Sequence, residues 1–376
     1  MNALAVNAVG ELLDDLRQGR MVVILDERNE ERNEGVVMVA AEHCTAEHVT
    51  FMARKARGLV CLALTQERCA QLNLPPMADR GADDTPRFTL SIEATKGIDT
   101  GISAADRAHT VRVAVAPHAV PGDIVQPGHI FPLAAEPGGV LTRAGHTETA
   151  VDYTRIAGLT PAAVIADVLA DSGELADGPT LRAFADQHGL KVGTVADLIH
   201  YRIANERTID LIREGQLQTR FGTFTLRAYR EATNQRTHIA LSLGDITPEQ
   251  PTLVRVHVAS TLRDILGSEL QGHPRWSTDR CLQAIAHSGQ GVLVLLTRDE
   301  SEEQLLQSVD FALGTLEPRD PKAGDTYNTV GLGSQILRDL GVGKIRLMGA
   351  PIKYNAISGF GLEVIDYLQP SDDLED

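Results

Sequence analysis

The sequence predicts an α+β protein in two parts, a mixed α/β sandwich domain followed by a second α/β domain. Three observations carry that expectation. The chain has 376 residues, room for two domains of ordinary size. In its first half, apolar β-branched runs and helix-spaced stretches alternate without the strict rhythm of a parallel βαβ sheet. After about Arg207 the pattern changes to the alternation of antiparallel strands. The domains are therefore placed at 1–206 and 207–376.

In chain order, Leu4, Val6, Val9, Leu12, Leu13 and Leu16 recur at helical spacing, and Gly19 ends that helix. Met21 to Leu25, Val36 to Ala40, Leu59 to Leu64 and Phe88 to Ile92 read as strands. A charged loop from Asp26 to Gly35 separates the first two, and His48 to Arg57 reads as a helix. Leu159 to Leu169, with Pro161 in its first turn, has a helical pattern. Leu181 to His188, ended by Gly189, and Val195 to Ala204 are two further helices. Beyond the boundary, Phe221 to Tyr229, Thr237 to Leu243, Leu253 to Val258, Val292 to Leu296 and Lys344 to Met348 read as strands. Arg280 to Ser288 and Gln335 to Leu340 read as helices.

Composition narrows the function classes. Hydrophobic residues make up 43% and charged residues 23%, so each half can bury a core. The formal net charge of −16 repels phosphate backbones and anionic lipid, so neither nucleic acid nor membrane is an expected partner. A small phosphorylated substrate needs only a local basic pocket. Cys44, Cys61, Cys69 and Cys281 form no C-x-x-C pair, which argues against a disulfide framework or a zinc site of that type. No apolar run approaches the ~18–20 residues of a membrane span, and the N-terminus lacks the basic start of a signal peptide. A cytoplasmic location is expected.

Three segments concentrate chemistry: Thr100 to Arg107, Gln126 to Leu133 and Gly138 to Glu148. The last two place His129 and His146 on what read as glycine-rich loops, where backbone can approach a ligand closely. Histidine can serve as base or metal ligand near neutral pH. Arg143 adds a bidentate phosphate binder, and Thr147 adds a hydroxyl. One His-Gly pair is an ordinary structural feature. Two such loops beside an arginine suit a sugar phosphate.

Together these segments resemble the 3,4-dihydroxy-2-butanone 4-phosphate synthase family, and the resemblance spans residues ~8 to 205. It implies conversion of ribulose 5-phosphate to a four-carbon riboflavin precursor with loss of formate. It also implies a divalent cation, Mg2+ or Mn2+, no organic cofactor, and a homodimer with residues of both chains in each site. By the same resemblance His129 is catalytic, His146 is a metal ligand, and Arg143, Gly145 and Thr147 bind substrate.

The sequence departs from the family pattern in places. The family's Arg-Glu-Asn-Glu-Gly-Asp loop stands here as Glu31-Arg32-Asn33-Glu34-Gly35-Val36. A guanidinium cannot ligate a cation, so Glu31 and Glu34 are the candidate metal ligands and Arg32 a candidate substrate binder. Val36 cannot supply the hydrogen bond of an aspartate, worth about 1.5–3 kcal/mol when charged. Asp167 stands where the family places a glutamate and is the second catalytic candidate. These changes leave two further readings open: the same chemistry redirected to a related sugar phosphate in a specialised pathway, or an inactive paralogue acting as a dimerisation or regulatory scaffold in flavin synthesis.

The second half resembles GTP cyclohydrolase II over roughly residues 208–368, through His238 to Leu241, Arg255 to His257 and Gly333 to Val342. The resemblance implies a zinc ion on three cysteines. Here Ser260 stands at the first ligand position and Cys281 is alone, while Thr326 and Asn328 stand where an Asp and an Arg are expected. The expectation is therefore no zinc, no GTP cyclohydrolase II activity and a structural role for this half.

Overall fold

A computed structural model describes residues 6–26, 34–78, 86–232, 235–267, 276–297, 305–306, 308–310, 313, 323–349 and 361–370. Two candidate site residues, Glu31 and Arg32, lie outside the described residues, as do the side chains of Thr326 and Asn328. The chain divides into two compact units, Met1–Tyr201 and Arg202–Asp376.

The first unit is built on a mixed seven-stranded sheet ordered β4-β5-β3-β6-β2-β1-β7. Its strands are β1 (Val22–Asp26), β2 (Glu34–Ala40), β3 (Cys61–Thr65), β4 (Ile92–Ala94), β5 (Ile124–Ala135), β6 (Ala162–Asp167) and β7 (Lys191–Thr194). The helices are α1 (Val9–Arg17), α2 (Ala46–Phe51), α3 (Gln66–Gln71), α4 (Ala104–Val115), α5 (His146–Ile156), α6 (Gly178–His188) and α7 (Val195–Asn205). β1, β2, β3 and β6 are almost wholly buried. Strands covered on both faces lose the polar half of the usual alternation, which is why they read as continuous apolar runs.

Period two sends alternate residues to opposite faces. Val23, Leu25, Val37, Val39, Leu62, Leu64, Val164 and Ala166 share one core with Val49, Val111 and Leu181 of the α2, α4 and α6 side. The other row runs across the sheet as Gly193, Ile24, Val36 and Asp167, each the register partner of the next. Gly193 fixes which side this is, because a Cβ there would meet Leu12 of α1 at 2.5 Å and the Tyr153 hydroxyl of α5 at 3.1 Å. Asp167 therefore lies on the α1/α5 face.

Three sequence expectations need correction. The strand read over Phe88 to Ile92 begins only at Ile92, as β4, with Phe88 and Thr89 in isolated bridges. Leu159 to Leu169 is not a helix: Ala162–Asp167 is the central strand β6. Its Ala-Ala-Val-Ile-Ala run is compatible with either state, and pairing with both β2 and β3 decides it. His129 and His146 do not sit on loops. His129 belongs to strand β5, and His146 is the first residue of helix α5, with Thr147 one position further.

The second unit also carries a mixed seven-stranded sheet, ordered β14-β13-β11-β12-β10-β9-β8. These strands are β8 (Ile209–Thr219), β9 (Gly222–Glu231), β10 (Thr237–Leu243), β11 (Pro251–Val258), β12 (Gly291–Leu296), β13 (Lys344–Met348) and β14 (Glu363–Leu368). α8 (Thr278–Ser288) and a second helix, α9 (Ala323–Asp339), pack against β11 and β12. The core gathers Phe224, Leu241, Leu253, Trp276, Ile285, Leu293 and Met348. The division between the units falls inside α7: Val195, Leu198 and Ile199 are buried in the first, Arg202 and Ile203 in the second. Among the described residues no helix is long and apolar enough to cross a membrane.

Candidate active site

The end of β6 organises the site. Asp167 closes that strand, and its register partner across the antiparallel ladder is Val36. Glu34 stands two residues before Val36 on β2, hence on the same face. Gly58 presses its backbone on this point, donating its N–H to the Asp167 carbonyl at 3.1 Å. A Cβ at Gly58 would collide with that carbonyl. Water reaches the Asp167 side chain, yet protein surrounds it closely enough to strip much of its solvation. That desolvation, and then the charge of Glu34, hold its carboxyl above the usual aspartate range. Cys61 lies close by. Burial and the Asp167 charge push its thiol up to about 12, so it is no nucleophile at neutral pH.

α5 brings the second group. It is followed directly by β6 after residues 157–161 and packs against it. The chain reverses between the two, so His146 at the helix start faces the Asp167 end of the strand. Gly145 is the N-cap and offers no side-chain oxygen to the first turn. A Cβ on Gly145 would stand 2.6 Å from Glu148 Oε2, so a side chain there would push on the buried carboxylate. Glu148 is fully buried and ties the segment together. Its Oε1 accepts the Glu136 N–H at 3.0 Å and a bond from Arg143 Nη1 at 3.4 Å. Burial raises the Glu148 pKa, opposed by the Glu136 N–H and the Arg143 charge. Arg143 is thus aimed by an acid behind it, and Thr147 is buried in the first turn.

His129 reaches the same end of the sheet from β5. Phe131 pairs with Cys61, which pairs with Ile165. His129 is two residues before Phe131, and Asp167 two beyond Ile165. With β3 parallel to β5 and antiparallel to β6, both steps lead to the same end of the sheet. The His129 ring meets Glu93 of β4, Nδ1 to Oε1 at 3.1 Å.

The structure therefore gathers Glu34, Asp167, Arg143, Gly145, His146, Thr147 and His129 at one end of one sheet. Sequence reasoning missed Glu93 and Glu148. Glu148 was visible as the acid in His-Thr-Glu, whereas Glu93 lies in an apolar run 36 residues from its partner and gave no local signal.

Comparison with known proteins follows the same two-part division. Residues 10–201 match the 3,4-dihydroxy-2-butanone 4-phosphate synthase family, and residues 210–369 match GTP cyclohydrolase II. A 3,4-dihydroxy-2-butanone 4-phosphate synthase of Pseudomonas aeruginosa is 50% identical over 366 residues, 97% of this chain and 99% of that one. A riboflavin biosynthesis protein of Aquifex aeolicus is 42% identical over 373 residues, 96% of this chain and 91% of the other. Among solved structures, a two-domain 3,4-dihydroxy-2-butanone 4-phosphate synthase from A. baumannii superposes with a TM-score of 0.82 at 45% identity, covering 97% of this chain and all (100%) of that one. A synthase crystallised with two magnesium ions matches with a TM-score of 0.51 at 38% identity, over 53% of this chain and 98% of its own.

Proposed function

We propose that this chain, which belongs to the 3,4-dihydroxy-2-butanone 4-phosphate synthase family and carries a second domain of the GTP cyclohydrolase II family, converts D-ribulose 5-phosphate to 3,4-dihydroxy-2-butanone 4-phosphate and formate in riboflavin biosynthesis. The observation that carries the reading is the convergence of Asp167, Glu34, His146 and Arg143 at one sheet end in a chain alike to synthases along nearly its whole length.

The residues divide the work by chemistry. Arg143, oriented by Glu148, presents a guanidinium to the substrate phosphate, with Gly145 and Thr147 at the adjoining helix start; Arg32 is the further substrate-binding candidate. Asp167 moves protons on the sugar carbons, and its raised pKa brings it nearer the range where a carboxyl both takes and returns a proton. His129 serves as the second proton-handling group, its ring fixed by Glu93.

Glu34 offers the carboxylate oxygen that Mg2+ or Mn2+ prefers, with the His146 imidazole as the second proposed ligand. Among the described residues no three His, Cys, Asp or Glu side chains form a ready cluster. Glu31, three residues before Glu34 in the sequence, is the proposed further ligand. Bound there, the cation would polarise the substrate's carbonyl and hydroxyl oxygens. The magnesium-bound synthase supports this reading.

The protein works as a cytoplasmic homodimer on a small sugar phosphate, without nucleic acid or membrane, in keeping with its net charge of −16. The second domain has no GTP cyclohydrolase II activity and holds no zinc. Its single cysteine, Cys281, is fully buried on α8, and the Ser260 N–H is committed to Asp264 at 2.9 Å. Incubating the full chain with ribulose 5-phosphate and Mg2+, then reading formate and the four-carbon product by NMR, tests the main reading. Both products support it, and untouched substrate overturns it. Val36 in the row beside Asp167 favours a second reading, redirected chemistry on a related sugar phosphate. A product other than formate from this or a neighbouring sugar phosphate would identify it.

A further inference from the structure

Strand β5 does not pair evenly with β4. Ile92 faces Ile130, but the next residue, Glu93, faces Val125. Residues 126–129 therefore bulge out of the ladder, and bulges re-aim the side chains they carry. Gly128 anchors this one. Its N–H donates to Ser91 Oγ at 3.1 Å, and a Cβ on it would strike the Ile92 carbonyl. The next residue, His129, is left with its side chain 42% exposed and bonded to Glu93, which is 13% exposed.

A second element closes on Glu93 from the other side. Gly101 has a φ of +78°, and a Cβ there would overlap the Glu93 carboxylate. The loop that carries it is fixed by Asp106, whose carboxylate accepts the N–H of Gly101 at 3.0 Å and of Asp99 at 3.4 Å. Ser103 Oγ in turn accepts the Asp106 N–H at 3.1 Å and starts α4. The whole Thr100 to Arg107 segment thus acts as a backstop for one carboxylate.

We propose that Glu93 is the positioning residue of His129, fixing its ring orientation and its tautomer, and that the Asp106-clamped loop exists to hold Glu93 in place. A carboxylate only accepts, so Nδ1–H donates to Glu93 and Nε2 is left bare toward the site as a base. Without Glu93, a half-exposed imidazole rotates freely and divides between two tautomers. The inference rests on the reading of His129 as a proton-handling residue.

The test uses the full-length protein labelled with 15N-histidine, with the His129 signals assigned by their loss in H129Q. Long-range proton–nitrogen spectra at pH 8 should show His129 with Nδ1 protonated and Nε2 bare. The opposite tautomer in the unaltered protein overturns the proposal whatever the variants do. In E93Q the spectrum should move to a tautomer mixture, and kcat should fall about 100-fold with KM changed less than threefold. E93D should recover part of that loss. D106N, further from the ring, should give a smaller change in the same direction. H129Q separates the layers: if it keeps full kcat, the catalytic reading of His129 fails while the spectra still decide the Glu93 contact. If H129Q is inactive and E93Q keeps both kcat and the single tautomer, the positioning role is refuted.

Discussion

Both units place histidine–carboxylate pairs on a seven-stranded mixed sheet, and the two sets differ in whether anything can reach them. In the first unit His129 is half-exposed beside Glu93, and the Asp167 side chain is open to water. In the second, His257 and His238 are sealed against Asp264 and Glu231. Asp264 accepts from His257 Nε2 at 2.8 and 2.9 Å, from the Ser260 and Thr278 N–H groups at 2.9 and 3.2 Å, and from Thr278 Oγ1 at 3.0 Å. A carboxylate has about four lone-pair sites, so little remains for a ligand. His238 Nδ1 accepts from the Thr297 N–H at 3.2 Å while Nε2 meets Glu231, a pin between three strands. The same residue types stand open in one place and sealed in the other, and the difference is access and unspent bonding capacity.

The largest effect is expected at Asp167. D167N should lower kcat by about 1,000-fold, within the usual range for a general acid–base group. It should also raise stability near neutral pH. The folded pKa of Asp167 lies above the unfolded one, so stability is fully present below the unfolded pKa and is lost as pH rises through the folded pKa. Thermal melts should show D167N melting above the unaltered protein at pH 7 and level with it near pH 3. A melt unchanged at pH 7 would remove the desolvated carboxylate from the account.

D264A should act in the opposite manner. It strips the partner from His257 and from two backbone N–H groups, at a cost of about 3 kcal/mol, while product formation by the first unit stays within twofold. A large fall in kcat with no loss of stability would show that the second unit holds a site after all. V36D is a finer probe. A carboxylate placed in the buried row beside Asp167 and Glu34 should cost about 2 kcal/mol at pH 7 and less at pH 4, and added Mg2+ should recover part of it. Failure of Mg2+ to do so would count against a cation at Glu34. E214A, which removes the partly exposed pair with Arg227, should shift stability by less than about 0.5 kcal/mol, which sets the scale for the others.

Much of the scaffold was legible in the sequence, for a physical reason. β1, β2 and β3 are buried on both faces and spell themselves as apolar runs, and α6 carries its own stop in Gly189, at φ +64°. β6 was not legible, because its alanine-rich run becomes a strand only through its neighbours. α5 was hidden because it opens on Gly-His-Thr-Glu-Thr, residues that satisfy a site and a loop before they suggest a helix. At the site, the motifs pointed to His129, Arg143, His146 and Thr147. The row linking Asp167 to Val36 depends on strand register, and the Glu93–His129 bond on a bulge, neither of which is written locally.

Helix α7 bears on how such a two-part chain can be exchanged between relatives. Its early turns feed one core and its last turn the other, and Arg202 and Glu206 are joined at 2.7 Å across that last turn. A recombination junction at the division between the compact units would fall within a helical turn and set early-turn side chains from one parent beside last-turn side chains from another. Thr208 is already committed, donating its N–H to Gln335 at 2.9 Å. A junction at the step around Arg207 keeps the side-chain pairs within α7 together, so inherited shuffling of the halves is expected to carry α7 whole with the first.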